Sequence, residues 1–430
     1  MSKKNTPTKV LFASLAGTTI EFFDFYIYAN AAVLVFPSLF FHASDPSTEM
    51  LQSLATFSVA FFARPLGSAF FGHFGDRVGR KITLVAALLT MGISTVAIGL
   101  LPTYQSIGIL APILLIICRF GQGFGLGGEW GGAVLLAVEN APPEKKAWYG
   151  MFPQLGAPIG LVLSGGIFLY LSNTLSNEQF FDYGWRIPFL LSSVLIIIGL
   201  YVRLNISETP EFEANKKKNK PLSVPFMTVF KEHSKPLFLG TFVALATFVL
   251  FYLMTVFIAS WSISELDITR DTFLENQILS VFFFTLLIPI SALLADRYGR
   301  KVILMMASLM IIIFGFFFTP LLGASDANSI LITLSVGMAL MGFTYGPLGT
   351  ILSELYPTSV RYTGASLSFN LAGIVGASFA PFIALWLSAN YGIEFVGYYL
   401  SLAAAISLVS IFLSSKAKTC LLYTSDAADE

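Results

Sequence analysis

The sequence predicts an all-α polytopic membrane protein, with twelve transmembrane helices in two six-helix, pseudo-symmetric halves. Three observations carry this. Of 430 residues, 55% are hydrophobic and only 12% charged, with a mean hydropathy of +0.76, whereas a soluble chain carries about 25% charge. The apolar residues gather in runs of roughly 20, the length that crosses a hydrocarbon core about 30 Å thick. Two charged patterns also occur twice. GHFGDRVGRK (Gly72 to Lys81) returns as ALLADRYGRK (Ala292 to Lys301), so Asp76, Arg77, Gly79, Arg80 and Lys81 recur 220 residues later as Asp296, Arg297, Gly299, Arg300 and Lys301. Glu139, Pro142 and Lys146 recur 215 residues later as Glu354, Pro357 and Arg361. A transmembrane barrel would instead alternate over ten-residue segments.

The spans read at about 10–36, 53–74, 82–101, 107–139, 148–172, 187–204, 236–258, 276–294, 301–322, 328–350, 363–388 and 394–414. The N-terminal half is expected over 1–205, a polar link with Lys216, Lys217, Lys218 and Lys220 over 206–235, and the C-terminal half over 236–416. Residues 417–430, polar and acidic, are expected to be a disordered or non-native tail. With the N-terminus in the cytoplasm, the cytoplasmic segments hold 21 Lys and Arg, counting Arg203 in the link, and the outer loops hold two, Arg186 and Arg270. That asymmetry predicts that both termini are cytoplasmic. The N-terminal MSKKNTPTKV flows into its apolar run without a small-residue cleavage site, which reads as a retained first helix.

A formal net charge of zero gives no basic field for nucleic acid. Cys118 and Cys420 make no disulfide framework. His42, His73 and His233 fall in loops or at a turn, so neither a metal site nor a catalytic triad is expected. The sequence therefore does not read as an enzyme.

The residues also carry a resemblance. GTTIEFFDFYIY (Gly17 to Tyr28), RPLGSAFFGHFGDRVGRK (Arg64 to Lys81), RFGQGFGLGGEWGG (Arg119 to Gly132), WRIPFLLS (Trp185 to Ser192), SETPEF (Ser207 to Phe212) and ELYPTSVRYTGAS (Glu354 to Ser366) resemble the major facilitator superfamily, and within it the metabolite:proton symporters. The resemblance covers about residues 10–414. It implies the major facilitator fold and proton-coupled import of a small organic acid or zwitterion, such as shikimate, 2-oxoglutarate, citrate, proline or betaine. It also implies a place in a bacterial inner membrane. The partners expected are a small metabolite, protons and the lipid bilayer. A monomer is expected, with no cofactor, the proton gradient being the energy source.

An ionisable residue inside a span is costly and marks a functional site by default. Five stand out: Glu21 and Asp24 in span one, Arg64 in span two, Arg119 and Glu129 in span four. Gly17, Glu21, Asp24 and Tyr28 share one helical face, as do Arg119, Gln122, Leu126 and Glu129. Glu21 lies about 16 Å along its helix, near midplane. Three carboxylates then face two guanidiniums, a surplus of one negative charge. The expectation is that one of Glu21, Asp24 or Glu129 exchanges the coupled proton. Arg64 and Arg119 would hold the other acids ionised or grip a substrate carboxylate bidentately. Structural ion pairs that pin helix register are the plainer alternative.

Proton coupling is thus assigned to Glu21, Asp24, Arg119 and Glu129. Substrate contacts are assigned to Arg64, Tyr28, Gln122, Gln154, Tyr252, Asn276, Tyr345 and Asn370, the last four from a C-terminal half with no comparable buried charge. Helix–helix hydrogen bonding accounts for neutral polar residues equally well. The repeated turns are expected to form a cytoplasmic gate of Asp76, Arg80, Glu139, Asp296, Arg300, Glu354 and Arg361, with Arg80 reaching Glu139 and Arg300 reaching Glu354. The glycines from Gly121 to Gly132, and Gly156 with Gly160, read as close helix packing. An efflux antiporter and a membrane sensor without net transport remain the alternatives. GAPIG in span five lacks the fuller glycine pattern of drug antiporters, and the tail is short for an output domain.

Overall fold

The computed structural model describes residues 7–43, 46–205, 208, 213, 225–266, 268–323 and 326–426. Twelve long helices follow in order: α1 (Pro7–Leu34), α2 (Pro46–Arg77), α3 (Arg80–Leu100), α4 (Leu110–Val138), α5 (Lys146–Thr174) and α6 (Arg186–Leu204). Then come α7 (Ser234–Glu265), α8 (Arg270–Tyr298), α9 (Arg300–Phe316), α10 (Ala327–Glu354), α11 (Arg361–Asn390) and α12 (Glu394–Asp426). No strand occurs among the described residues. Eleven of these helices have the length and apolar content to cross a membrane. The exception is α9, which has 17 residues and resumes after Phe317 as Phe318–Leu322. Pro320 accounts for the break, since it has no N–H to donate and its ring crowds the carbonyl four residues back. Together the two pieces fill the expected ninth span.

The apolar side chains explain why these helices suit a membrane. Leu100, Ile197, Tyr201, Phe282 and Leu402 are each more than 60% exposed. A soluble surface rarely carries such contiguous apolar area; lipid tails accept it.

The duplicated turn shows why its glycines recur. Gly79 has φ 140° between α2 and α3, and Gly299 has φ 98° between α8 and α9. Both lie in the region that a side chain disfavours. Before α10, Asp326 and Ser329 form a capping box, and the Ser329 amide and hydroxyl hold the Asp326 carboxyl below the usual carboxylate range.

The chain forms two compact units: Met1–Pro143 with Phe152–Pro225, and Glu144–Met151 with Phe226–Glu430. In the N-terminal unit α4 lies against α2 with almost no intervening side chain. A Cβ on Gly127 would strike the Arg64 carbonyl and come within 2.7 Å of the Ser68 amide nitrogen. Ser68 Oγ donates to the Gly127 carbonyl across that contact at 2.8 Å. The C-terminal unit repeats the device between α8 and α10, where Ser291 Oγ donates to the Gly342 carbonyl at 3.3 Å. Two π-helical turns, Leu253–Phe257 in α7 and Ile374–Ser378 in α11, interrupt this unit's helices.

Of the segment set apart as a tail, 417–426 continue α12 as helix, and 427–430 lie outside the described residues. So do Lys216, Lys217, Lys218 and Lys220 of the link.

Candidate functional site

The buried charged side chains among the described residues are Glu21, Asp24, Arg64, Asp76, Arg80, Arg119, Glu129, Glu139 and Arg203. All belong to the N-terminal unit. The spacing on α1 brings Gly17, Glu21, Asp24 and Tyr28 to one face, and α2, α3, α4 and α6 supply what surrounds them.

Glu129 of α4 is fully buried, and both its oxygens accept from Arg203, Oε1 at 2.7 Å and Oε2 in a very short contact. Arg203 also donates to the Leu84 carbonyl of α3 at 2.6 Å. Its guanidinium occupies the space above Gly17, where a Cβ would sit 2.6 Å from Nη2. This corrects two expectations. Arg203 does not lie in the cytoplasmic link; it closes α6 and turns its 4%-exposed side chain into the unit. The six interior charges therefore balance, three acids against three guanidiniums, without the expected surplus.

Asp24 is fully buried. Its Oδ1 accepts from Ser192 of α6 at 2.6 Å, and Oδ2 has no hydrogen-bond partner. The Gln122 amide donates to the Asp24 carbonyl and to Thr95 Oγ1, each at 2.9 Å. Arg119 donates to Gln122 Oε1 at 2.5 Å and to the Phe57 carbonyl at 3.5 Å, and stacks on the Tyr28 ring at 3.9 Å. Tyr28 in turn shares a 2.6 Å hydrogen bond with Thr56.

Glu21 and Arg64 stand apart. Glu21 is 3% and Arg64 5% exposed. Glu21 Oε2 and Arg64 Nε have no hydrogen-bond partner, and neither side chain makes a hydrogen bond or ion pair among the described residues. Arg64 lies over the rings of Phe25 (4.4 Å) and Phe61 (4.9 Å). Phe25, the ring that Arg64 covers, lies one helical turn from Glu21 on α1.

The remaining candidates divide. Gln154 accepts from the buried Trp130 indole at 2.9 Å, a contact between α5 and α4. In the C-terminal unit Asn276 donates to the Ala327 carbonyl at 2.8 Å and Asn370 to the Ser366 carbonyl at 2.9 Å. Tyr252 and Tyr345 are buried, beside Phe251 and Phe284 respectively. Sequence reasoning missed Arg203 and Ser192, although Gly17, a gap one turn below Glu21, was a signal for the first.

The repeated motifs form the same ion-pair triad twice, once in each unit. Arg80 bridges Asp76 (2.9 Å) and Glu139 (3.4 Å), and Arg300 bridges Asp296 (3.2 Å) and Glu354 (2.7 Å). Asp296 also accepts from the amides of Ala147 (2.9 Å) and Trp148 (2.8 Å), in the first turn of α5 that groups with this unit. Arg361 donates to the Tyr356 carbonyl at 3.2 Å.

Among the described residues the buried charge lies in one of the two repeated bundles. The chain belongs to the Major Facilitator Superfamily, a class of membrane transporters, whose family description matches residues 15–374. It is a multi-pass membrane metabolite transporter. It is 54% identical to an inner membrane metabolite transport protein of Escherichia coli, YhjE, over 96% of this chain and 95% of that one. It is 36% identical to the shikimate transporter of Escherichia coli, over 93% and 92% of the two chains. It is 32% identical to the proline/betaine transporter of Salmonella typhimurium, over 94% and 82%. In fold it is similar to the proton:xylose symporter XylE, with a TM-score of 0.75 at 16% identity over 94% and 95% of the chains.

Proposed function

We propose that this transporter imports a small carboxylate or zwitterion together with protons, by alternating access, across a bacterial inner membrane with both termini in the cytoplasm. The observation that carries the reading is the pair of buried, unbonded opposite charges, Glu21 and Arg64. An unmet charge in a low-dielectric interior is expensive, and its retention points to a ligand that meets it in turn. The names of the relatives direct the choice of substrates to shikimate, proline and betaine. The chain works as a monomer and without a cofactor in this reading.

The test is uptake into proteoliposomes of a panel of labelled organic acids and betaines under an imposed pH gradient. Accumulation of one of them supports the reading. If Glu21→Gln, Asp24→Asn and Glu129→Gln all keep pH-driven accumulation, it fails. Gradient-driven extrusion would favour the efflux alternative, and no flux of any compound the sensor.

The two triads act as the cytoplasmic gate in this reading, held while the carrier faces outward and opened for release. Arg80→Glu and Glu139→Arg are each expected to lose transport, and the exchanged double variant to regain a substantial part of it. Failure of that rescue, with all three proteins inserted at wild-type level, would count against the pairing.

A further inference from the structure

We infer that Glu21 and Arg64 form an exchange pair: the substrate carboxylate takes the Arg64 guanidinium, and Glu21 takes the proton, one for one. This rests on the transport reading above and deepens it.

The assignment comes from what each interior charge already holds. Glu129 is gripped at both oxygens by Arg203, whose guanidinium also binds the Leu84 carbonyl. Asp24 has one oxygen bonded to Ser192. Arg119 donates to Gln122 and lies on Tyr28. Glu21 and Arg64 have no such partners. The rings of Phe25 and Phe61 offset part of the cost of burying Arg64. The rings satisfy none of its N–H donors, so a carboxylate can take them, and a guanidinium binds a carboxylate bidentately.

Charge balance supplies the coupling. With Glu21 ionised and Arg64 cationic the pair is neutral. A bound carboxylate alone would leave it at one negative charge, and a proton alone at one positive charge. Either is costly in a medium where opposite charges are felt strongly. Both together restore neutrality: the proton bonds to a Glu21 oxygen, and the substrate carboxylate becomes the counter-ion of Arg64. Each ligand therefore favours the other, and no redox or covalent step is involved. A monoanion would cross with its proton electroneutrally; a zwitterion would carry one net positive charge. The other charged groups that face Glu21 are Glu129 from α4 and Arg203 from α6, with Asp24 on its own helix. Glu129 and Arg203 are committed to each other.

The test needs no transported compound. Dicyclohexylcarbodiimide reacts with protonated carboxyl groups in apolar surroundings, and mass spectrometry of the full-length protein after digestion locates the adduct. In the wild type, labelling is expected at Glu21 and to fall as the pH rises. In Arg64→Met, Glu21 loses the cation that favours its charged form. Labelling should then persist into alkaline solution, about tenfold above wild type there. Arg64→Lys keeps the charge and should keep the wild-type profile; it also stands as the control for folding. Adduct at Glu129 or Asp24 instead of Glu21, or a profile indifferent to Arg64→Met, would overturn the pair. Should the uptake panel find no transported compound, the transport reading falls, while the labelling result still decides whether Glu21 and Arg64 are linked.

Discussion

Replacing Arg203 alone by methionine is expected to destabilise the N-terminal unit by about 3–5 kcal/mol, because it strands Glu129 as a buried charge with no counter-ion. Replacing Glu129 alone by leucine should cost a similar amount from the other side. The double variant Arg203→Met with Glu129→Leu should recover nearly all of the loss, since a buried ion pair exchanged for apolar groups of like size is often neutral or better. The measurement is thermal unfolding of the detergent-solubilised protein for all four members of the cycle. Equal losses in single and double variants would mean that the pair is not the unit that matters. The same cycle carries a functional reading: if the double variant still accumulates substrate under a pH gradient, Glu129 is not the proton carrier.

Gly127→Leu is expected to abolish transport, with uptake falling on the order of a hundredfold, because Arg64 is the group proposed to hold substrate and a small misplacement of such a group is amplified in rate. Even the first carbon of the new side chain would overlap the α2 backbone at Arg64. Helix α2 must move away, and the Arg64 guanidinium moves with it. Overpacking itself should cost about 1–3 kcal/mol. Gly166→Leu is the control, since a Cβ there meets nothing within 4 Å and uptake should stay at the wild-type rate. Transport retained in Gly127→Leu would show that α2 is not held where the close approach puts it.

The helices were legible because a span announces itself by length and apolarity, and the ion-pair triads because their spacing repeats. Gly79 and Gly299 could be read as turn residues before their backbone angles were seen. What stayed hidden has physical reasons. Arg203 sits next to the last residue of its span and so reads as a topology anchor; only tertiary structure reveals that its long stem carries the charge back among the helices. Ser192 is one hydroxyl in an apolar run, indistinguishable from any other until Asp24 is placed against it. Gln154 shares a polar character with substrate ligands, yet its oxygen meets the Trp130 indole. The π turns of α7 and α11 add one residue each within stretches that are apolar on every side, so no change of period betrays them. Glu21 and Arg64 were visible as intramembrane charges; that they, alone of the six, would be left without bonds was not.

The Glu129–Arg203 pair also bears on how the chain is made. The two residues are 74 positions apart. At roughly 5–20 residues per second of synthesis, the acid emerges about 4–15 s before the base that neutralises it. During that interval α4 cannot be released into lipid as a finished helix without a bare carboxylate. It has to wait beside the insertion machinery, or carry its acid protonated, until α6 arrives. Unless the acid travels protonated, this half inserts as a concerted event of several helices, and a ribosome stalled between α4 and α6 should then leave a product that membrane quality-control proteases remove.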